Sequence, residues 1–120
     1  MKKIFLIIQR IVVTLILLIV VIACNKVDVP QGTPSCIRKK IKEDNIHNCL
    51  DSVYRYNYLG KDVYLFVYPC PEGCYSLIDE HCNSILDSTG VAMCSCSWGG
   101  AFCNNDFIEK RSHKQLIWSK

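Results

Sequence analysis

The stretch Val53–Tyr68, VYRYNYLGKDVYLFVY, carries the strongest fold signal in the chain. Aromatic and β-branched residues alternate with other residues on both sides of a glycine turn at residues 59–62, as in two strands of a β-hairpin. Tyrosines occupy every second position of the first run, and Tyr64, Phe66 and Tyr68 do so in the second. We expect these aromatic rows to pack across the strands beneath a helix; the alternative is an exposed sugar- or protein-binding face.

A helix is predicted just before this hairpin. Thr33 suits its N-cap, and Pro34 suits its first helical position because proline has a fixed φ and no N–H to satisfy. Ile37 and Ile41 lie four residues apart and form one apolar stripe, and the helix should end near Asn45. We interpret its basic residues as a solvated face rather than a phosphate-binding patch: Arg38, Lys39, Lys40 and Lys42.

Turn residues divide the chain after the hairpin into short elements, which predicts a small antiparallel meander. Turn chemistry explains Asp79, Glu80 and Asp87 more simply than a catalytic carboxylate pair does. The expected fold class is α+β: a small disulfide-rich domain with one N-terminal helix on an antiparallel hairpin or meander, preceded by a hydrophobic signal helix. The elements are strands at 75–78 and 84–86, turns at 79–83 and 87–90, a glycine- and cysteine-rich loop at 94–105, a helical turn at 107–111 and an edge strand at 115–118.

The nine cysteines divide into one and eight. Cys24 stands alone after an apolar segment, and an even set follows, which in an exported chain predicts disulfides. Cys94 and Cys96 are too close to bond each other without strain, so they should have different partners. The alternative is a zinc site with ligands from the pairs Cys70/Cys74 and Cys94/Cys96 and from His81, but we expect no metal and no cofactor. The disulfide candidates, whose pairing the sequence leaves open, are Cys36, Cys49, Cys70, Cys74, Cys82, Cys94, Cys96 and Cys103.

Residues 1–23 contain the three parts of an export signal: a positive start, an apolar stretch and a small residue before the cleavage point. The run Val21-Ile22-Ala23-Cys24 resembles the lipobox of bacterial lipoproteins. This resemblance implies that Cys24 is linked to diacylglycerol and that segment 1–23 is removed. Residues 24–32 would then be the lipidated N-terminus and its tether, and residues 33–120 a single domain.

An uncleaved membrane anchor is the alternative to a cleaved signal, since the apolar segment has about the 20 residues that a bilayer requires. Arg10 argues against it, because a charge in the middle of a spanning helix costs about 2.5–3.5 kcal/mol on insertion scales. Asn25 rather than Asp follows the lipid-bearing cysteine. In lipoproteins with the common sorting signal, this implies the outer rather than the inner membrane.

The charge of the chain gives no support for nucleic-acid binding. The chain has 14 basic and 11 acidic residues, and three of the basic ones lie in segment 1–23, so the mature chain has no formal net charge. The lipobox resemblance implies the membrane as a partner, through the acyl chains, and we further expect an envelope protein as a partner.

Several short motifs occur together between residues 33 and 120. They are Pro34-Ser35-Cys36-Ile37 with Lys40-Ile41, Tyr54-Arg55-Tyr56 with Gly60-Lys61 and Val63-Tyr64, Asp79 with Cys82-Asn83, and Phe107 with Arg111 and Leu116-Ile117-Trp118. In this combination the chain resembles a family of short bacterial lipoprotein domains that have no established activity. The resemblance implies a compact α+β domain behind a lipidated cysteine. The chain departs from it at residues 93–100 (MCSCSWGG), where a glycine- and aspartate-rich loop is expected.

We find no basis for catalysis in the sequence. His47, His81 and His113 are scattered, and no serine stands in a nucleophile elbow. Trp98, on a glycine loop, is the best candidate for contact with a partner, although burial over the core is an equal alternative. The predicted function is a membrane-anchored, non-enzymatic binding or structural module of the cell envelope. The alternatives are an inhibitor whose loop 92–102 plugs an envelope or extracellular hydrolase and, third, a metal-dependent envelope enzyme.

Overall fold

The computed structural model describes residues 1–22, 27–47, 49–69, 73–97 and 100–120. Within these residues no helix has both the length and the hydropathy that a membrane span requires. The helices are α1 (Lys2–Ile22), α2 (Ser35–His47) and α3 (Asn105–Lys110); the strands are β1 (Ser52–Tyr58), β2 (Lys61–Tyr68), β3 (Cys74–Ile78), β4 (Cys94–Ser97), β5 (Gly100–Cys103) and β6 (Ser112–Ser119).

The predicted hairpin is present and lies in the middle of a four-stranded antiparallel sheet with the order β3-β2-β1-β6. Its turn is shorter than expected, because Tyr58 pairs directly with Lys61. Leu59 and Gly60 both have positive φ, 50° and 78°, as the two central residues of a type I′ turn require. The expected α+β class, with an N-terminal helix and an antiparallel sheet, is therefore confirmed.

The two aromatic rows lie on opposite faces of the sheet, so the expectation that they pack on each other beneath the helix is wrong. The register pairs Tyr56 with Val63, whereas Phe66 pairs with Val53. Because opposed residues of an antiparallel pair share a face, each aromatic row lies opposite non-aromatic residues of the other strand, most of them aliphatic. The sheet consequently buries an apolar surface on both sides.

Helix α2 covers one face of the sheet. Ile37 and Ile41 are fully buried and pack in a cluster with Val53, Phe66 and four further buried residues: Leu50, Tyr64, Ile78 and Ile117. Each fully buried side chain of this size contributes about 1.5–3 kcal/mol. The predicted apolar stripe is confirmed, but Thr33 is not the N-cap acceptor, since its hydroxyl donates to the Pro30 carbonyl at 2.7 Å.

Part of the predicted tether packs on the α2 side of the sheet. Val27 and Val29 are half-buried against the same cluster as α2. A turn from Pro30 to Thr33 follows, with Gly32 at a φ of 87° and a hydrogen bond from the Thr33 N–H to the Pro30 carbonyl. Glycine at this position is typical of a type II turn. The chain is thus folded onto the domain from Val27 onward.

The opposite face of the sheet is covered by α3 and a second, two-stranded sheet of β4 and β5. Phe107 of α3 is fully buried and meets the rings of Tyr56 and Tyr58 edge to face, with centroids 5.6 and 5.5 Å apart. The loop expected at residues 94–105 is therefore wrong, because its two halves pair as strands. The strand expected at 84–86 is reduced to isolated bridges from Ser84 and Leu86.

Strand β6 closes the sheet as the predicted edge strand, but it is longer than expected and irregular. Its pairing with β1 shifts between Val53 and Tyr54 and again between Arg55 and Asn57. Such bulges bend an edge strand and disrupt its ladder, which hinders pairing with a further strand. A binding site is therefore better sought on the faces of the sheet than along this edge.

Candidate functional site

Three of the residues singled out in the sequence fall outside the described residues: Cys24, Cys70 and Trp98. Nothing structural is therefore concluded about the lipidation site or about the predicted partner contact. The remaining candidates are the other cysteines, the histidines and the acidic turn residues.

Disulfides hold both covering layers to the sheet. Cys36 of α2 bonds Cys82 in the loop after β3, with Cα atoms 6.1 Å apart. Cys74 at the start of β3 bonds Cys96 of β4, and Cys94 bonds Cys103 across the β4–β5 pair. Cys49 is disulfide-bonded as well. The predicted use of these cysteines for disulfides is confirmed, and Cys94 and Cys96 have different partners, as expected.

The zinc alternative loses its ligands through these bridges. The sulfur atoms of Cys74, Cys94 and Cys96 are in disulfides and are not available as thiolates. In the described part of the chain no three His, Cys, Asp or Glu side chains converge in a way that could hold a metal ion.

The histidines are exposed and lie apart. His47 ends α2, His81 lies 3.3 Å from Glu80 in a turn, and the Nδ1 of His113 lies 2.9 Å from the Ser112 hydroxyl near the start of β6. The structure places none of them with a buried nucleophile and an orienting group in the described residues, which is the arrangement that nucleophilic catalysis uses.

The acidic residues after β3 shape turns, as expected. The Asp79 carboxylate accepts backbone hydrogen bonds from His81 and Asn83. Partial burial acts to raise the pKa of Asp79, but these bonds outweigh it and hold the pKa below its ordinary value. The Thr89 hydroxyl, together with the backbone of Thr89 and Val91, lowers the pKa of Asp87 in the same way.

A groove of about 520 Å³ runs across the face of the sheet opposite α2, and we call it the aromatic groove. Its floor consists of side chains from the first three strands of the sheet, and its walls come from β5, α3 and the start of β6. This volume is within the range of small-ligand sites. The lining residues are Asp51, Ser52, Tyr54, Tyr56, Leu65, Val67, Tyr75, Ala101, Phe102, Cys103, Ile108, Arg111 and Lys114.

Two cations in the aromatic groove lie over tyrosine rings. The Arg111 guanidinium carbon lies 4.9 Å from the Tyr56 ring centroid, and the Lys114 ammonium lies 4.4 Å from that of Tyr54. Among the described residues neither cation has a carboxylate within ion-pair distance. Ring faces attract a cation without neutralising its charge. The groove therefore offers two positioned positive charges to an anionic group.

The walls of the aromatic groove also expose apolar side chains. Phe102 of β5 is 49% exposed, and Ile108 of α3 is 44% exposed. The bridge between Cys94 and Cys103 closes the hairpin beside Phe102, and the bridge to Cys74 fixes that hairpin to the sheet. The exposed ring is thus held on a cross-linked support.

A larger cavity of about 870 Å³ lies between the β1–β2 turn, the loop after β3 and α3. Its carboxylates are already engaged within the domain. Asp79 and Asp87 accept hydrogen bonds within their own turns. Asp106 accepts a hydrogen bond from the Tyr58 hydroxyl and contacts the Lys110 ammonium, both at 2.5 Å. Lys110 first, and then Tyr58, holds the pKa of Asp106 below its ordinary value. This network fixes α3 to the sheet and leaves the aromatic groove as the better candidate site.

The sequence reasoning missed Arg111 and Lys114 as site residues. A usable signal was present, because residues 110–120 contain Lys110, Arg111, Lys114 and Lys120 but no Asp or Glu. What the sequence did not reveal is that two of these cations lie over the tyrosines of β1.

A family model described as Domain of unknown function (DUF6970) matches residues 39–120. The match includes most of α2 and the whole sheet, together with every residue of the aromatic groove. No curated protein and no solved structure is significantly similar to the chain.

Proposed function

The chain belongs to the DUF6970 family, and from that premise we propose that it is a lipid-anchored, non-enzymatic binding module of the bacterial cell envelope. The aromatic groove is its recognition surface. Its partner is an envelope protein that presents carboxylates beside apolar side chains.

Export and anchoring are supported by two independent features. Residues 1–24 have the pattern of a lipoprotein signal, and they precede the part of the chain that the family model matches. The domain behind them is cross-linked by disulfides, which persist in oxidising compartments outside the cytoplasm. Because acyl chains on Cys24 would replace the removed helix as the anchor, the domain stays on the membrane. Asn25 favours the outer over the inner membrane.

The binding role is supported by two cations of the aromatic groove, Arg111 and Lys114, which form no ion pair with any carboxylate in the described part of the chain. A partner carboxylate that displaces water there gains a charge-assisted hydrogen bond. Apolar side chains of the partner would cover Phe102 and Ile108, which a monomer leaves in water. Aromatic and arginine side chains in such a setting are typical of binding hot spots.

The experiment is photocross-linking in the native host with the full chain. A photoreactive phenylalanine analogue replaces Phe102, and a second strain carries it at Leu59, which is 67% exposed and lies outside the groove. We expect a discrete protein adduct from position 102 and none of that size from position 59.

The charge requirement is tested in the same strain. Lys114→Gln should reduce the yield of the adduct at least threefold, whereas Lys114→Arg should retain it because the cation remains over Tyr54. Lys61→Gln, at the start of β2 and outside the groove, is the matched control for loss of one exposed charge. Equal adducts from both probe positions, or an adduct that Lys114→Gln leaves unchanged, would contradict the proposal.

The alternative is an inhibitor of an envelope or extracellular hydrolase, and the cross-linked hairpin of β4 and β5 favours it. Two disulfides hold this hairpin, and Phe102 projects from it. A rigid loop that presents an exposed ring suits insertion into an active site. The two functions separate on the identity of the adduct: an inhibitor cross-links a hydrolase and abolishes its activity, whereas a binding module leaves its partner active.

A further inference from the structure

We propose that the outer face of α2 lies on the anionic phospholipid surface and turns the aromatic groove away from the membrane. This inference deepens the proposed function and rests on the lipidation of Cys24. It concerns the membrane as a second partner of the folded domain, beyond the acyl chains.

The connection between the lipid anchor and the folded domain is short. Val27 and Val29 pack against the core cluster on the α2 side of the sheet. Only three residue steps separate Cys24 from Val27, and they span at most about 11 Å. The acyl chains would therefore hold the α2 side of the domain close to the headgroups.

The outer face of α2 is positively charged. Arg38, Lys39 and Lys42 are exposed there, and Arg38 and Lys42 lie four residues apart on one side of the helix. Of the two acidic residues of α2, Asp44 points inward and contacts Lys40 and Tyr68. Glu43 is exposed and offsets only Lys39, at 3.8 Å. The outer face therefore keeps a positive excess, which anionic lipid headgroups attract.

An exposed apolar residue lies in line with these charges. Ile46 lies four residues after Lys42, on the same side of the helix, and is 66% exposed. An exposed apolar side chain beside basic residues can enter the headgroup region while the charges contact anionic lipids.

The sheet places α2 and the aromatic groove on opposite faces. Helix α2 covers the face that carries Val53 and Phe66, whereas the aromatic groove lies on the face that carries Tyr54 and Tyr56. If one face rests on the membrane through α2, the other points to the compartment where an envelope protein could reach it. The membrane contact and the recognition surface thus occupy opposite sides of one sheet.

The experiment uses the mature lipoprotein purified from its host and reconstituted into vesicles of phosphatidylethanolamine with phosphatidylglycerol. A photoreactive residue replaces either Ile46 or Phe102, and lipid adducts are measured by mass. We expect lipid adducts at position 46 to exceed those at position 102 at least fivefold. Arg38→Gln with Lys42→Gln should reduce the adducts at position 46 at least threefold, whereas Lys61→Gln with Lys120→Gln, the matched control, should not.

The outcomes separate the two claims. Protein that does not float with the vesicles contradicts the lipid anchor and, with it, the proposed orientation. Protein that floats but gives equal lipid adducts at positions 46 and 102, or the same yield on phosphatidylcholine vesicles, overturns the orientation alone.

Discussion

The Tyr68 hydroxyl donates a hydrogen bond to Oδ2 of Asp44 at 2.5 Å, which joins β2 to α2. The Lys40 ammonium lies 3.1 Å from the same oxygen and 5.4 Å from the Phe66 ring centroid. Burial, followed by the hydrogen bond to Asp44, raises the pKa of Tyr68 far above its ordinary value, so the hydroxyl remains a donor. Besides the core beneath it, the helix is therefore held to the sheet by a polar contact.

Tyr68→Phe should lower the free energy of unfolding by about 2 kcal/mol, because it removes a donor from a buried carboxylate. Urea denaturation followed by circular dichroism measures the change. Tyr75→Phe is the matched control, since the Tyr75 hydroxyl makes no hydrogen bond within the described residues and its loss should change stability by less than about 0.5 kcal/mol. Equal effects of the two substitutions would show that the bond to Asp44 contributes nothing.

Tyr58 should ionise at an unusually high pH. Its hydrogen bond to Asp106, followed by burial, raises the pKa of Tyr58 to about 12 from 10.0. A raised pKa means that this contact stabilises the fold fully below pH 10 and that the contribution is lost as the pH rises towards 12. Tyrosinate absorbance after a rapid pH jump should show a component near 12 that Tyr58→Phe removes. Asp106→Asn should move it towards 10; a titration unchanged in that variant would refute the assignment.

The β1–β2 turn contains a correctable strain. Leu59 has a φ of 50° and is mostly exposed, so its side chain gains little from packing. Leu59→Asn should raise the free energy of unfolding by about 1 kcal/mol, because asparagine tolerates the left-handed conformation and Asn-Gly is the preferred type I′ pair. Gly60→Ala should destabilise the fold, although no atom lies within 4 Å of the added Cβ, since the cost is in the backbone. The same denaturation experiment checks both signs, and a destabilised Leu59→Asn protein would argue against a type I′ turn.

The disulfides should differ in what they stabilise. Cys36 and Cys82 are 46 residues apart, whereas Cys94 and Cys103 are 9 apart. Chain entropy predicts that replacing the first pair by alanines costs about 1.4 kcal/mol more than replacing the second. Hydrogen exchange should increase first in α2 for the Cys36/Cys82 variant and in β4–β5 for the Cys94/Cys103 variant. Uniform acceleration in both variants would contradict this layered arrangement.

The local parts of the fold were predictable from the sequence, and their assembly was not. The alternation of aromatic and β-branched residues with others, around a glycine turn, is sufficient to predict the hairpin between Val53 and Tyr68. The spacing of Ile37 and Ile41 predicted the buried stripe of α2. The pairing of β4 with β5 was missed because CSCS and GAFC have little of the apolar alternation that marks a strand. That hairpin is held by the bridges of Cys94 and Cys96, whose partners the sequence does not specify.

The candidate site was less predictable for a related reason. Arg111 lies over Tyr56 and Lys114 over Tyr54, so each contact joins residues that are far apart in the sequence. Only the return of β6 alongside β1 brings them together. The composition of residues 110–120 indicated a local positive charge but not the rings beneath it.

The central claim is that Cys24 carries lipid while the other cysteines cross-link an exported domain. Intact-mass analysis of protein extracted from host membranes, without reduction and with a thiol-reactive reagent, tests this most directly. We expect a chain that begins at Cys24, carries the added mass of acyl chains and takes up no reagent. A chain that retains residues 1–23 with Cys24 unmodified, or whose other cysteines react, would contradict it.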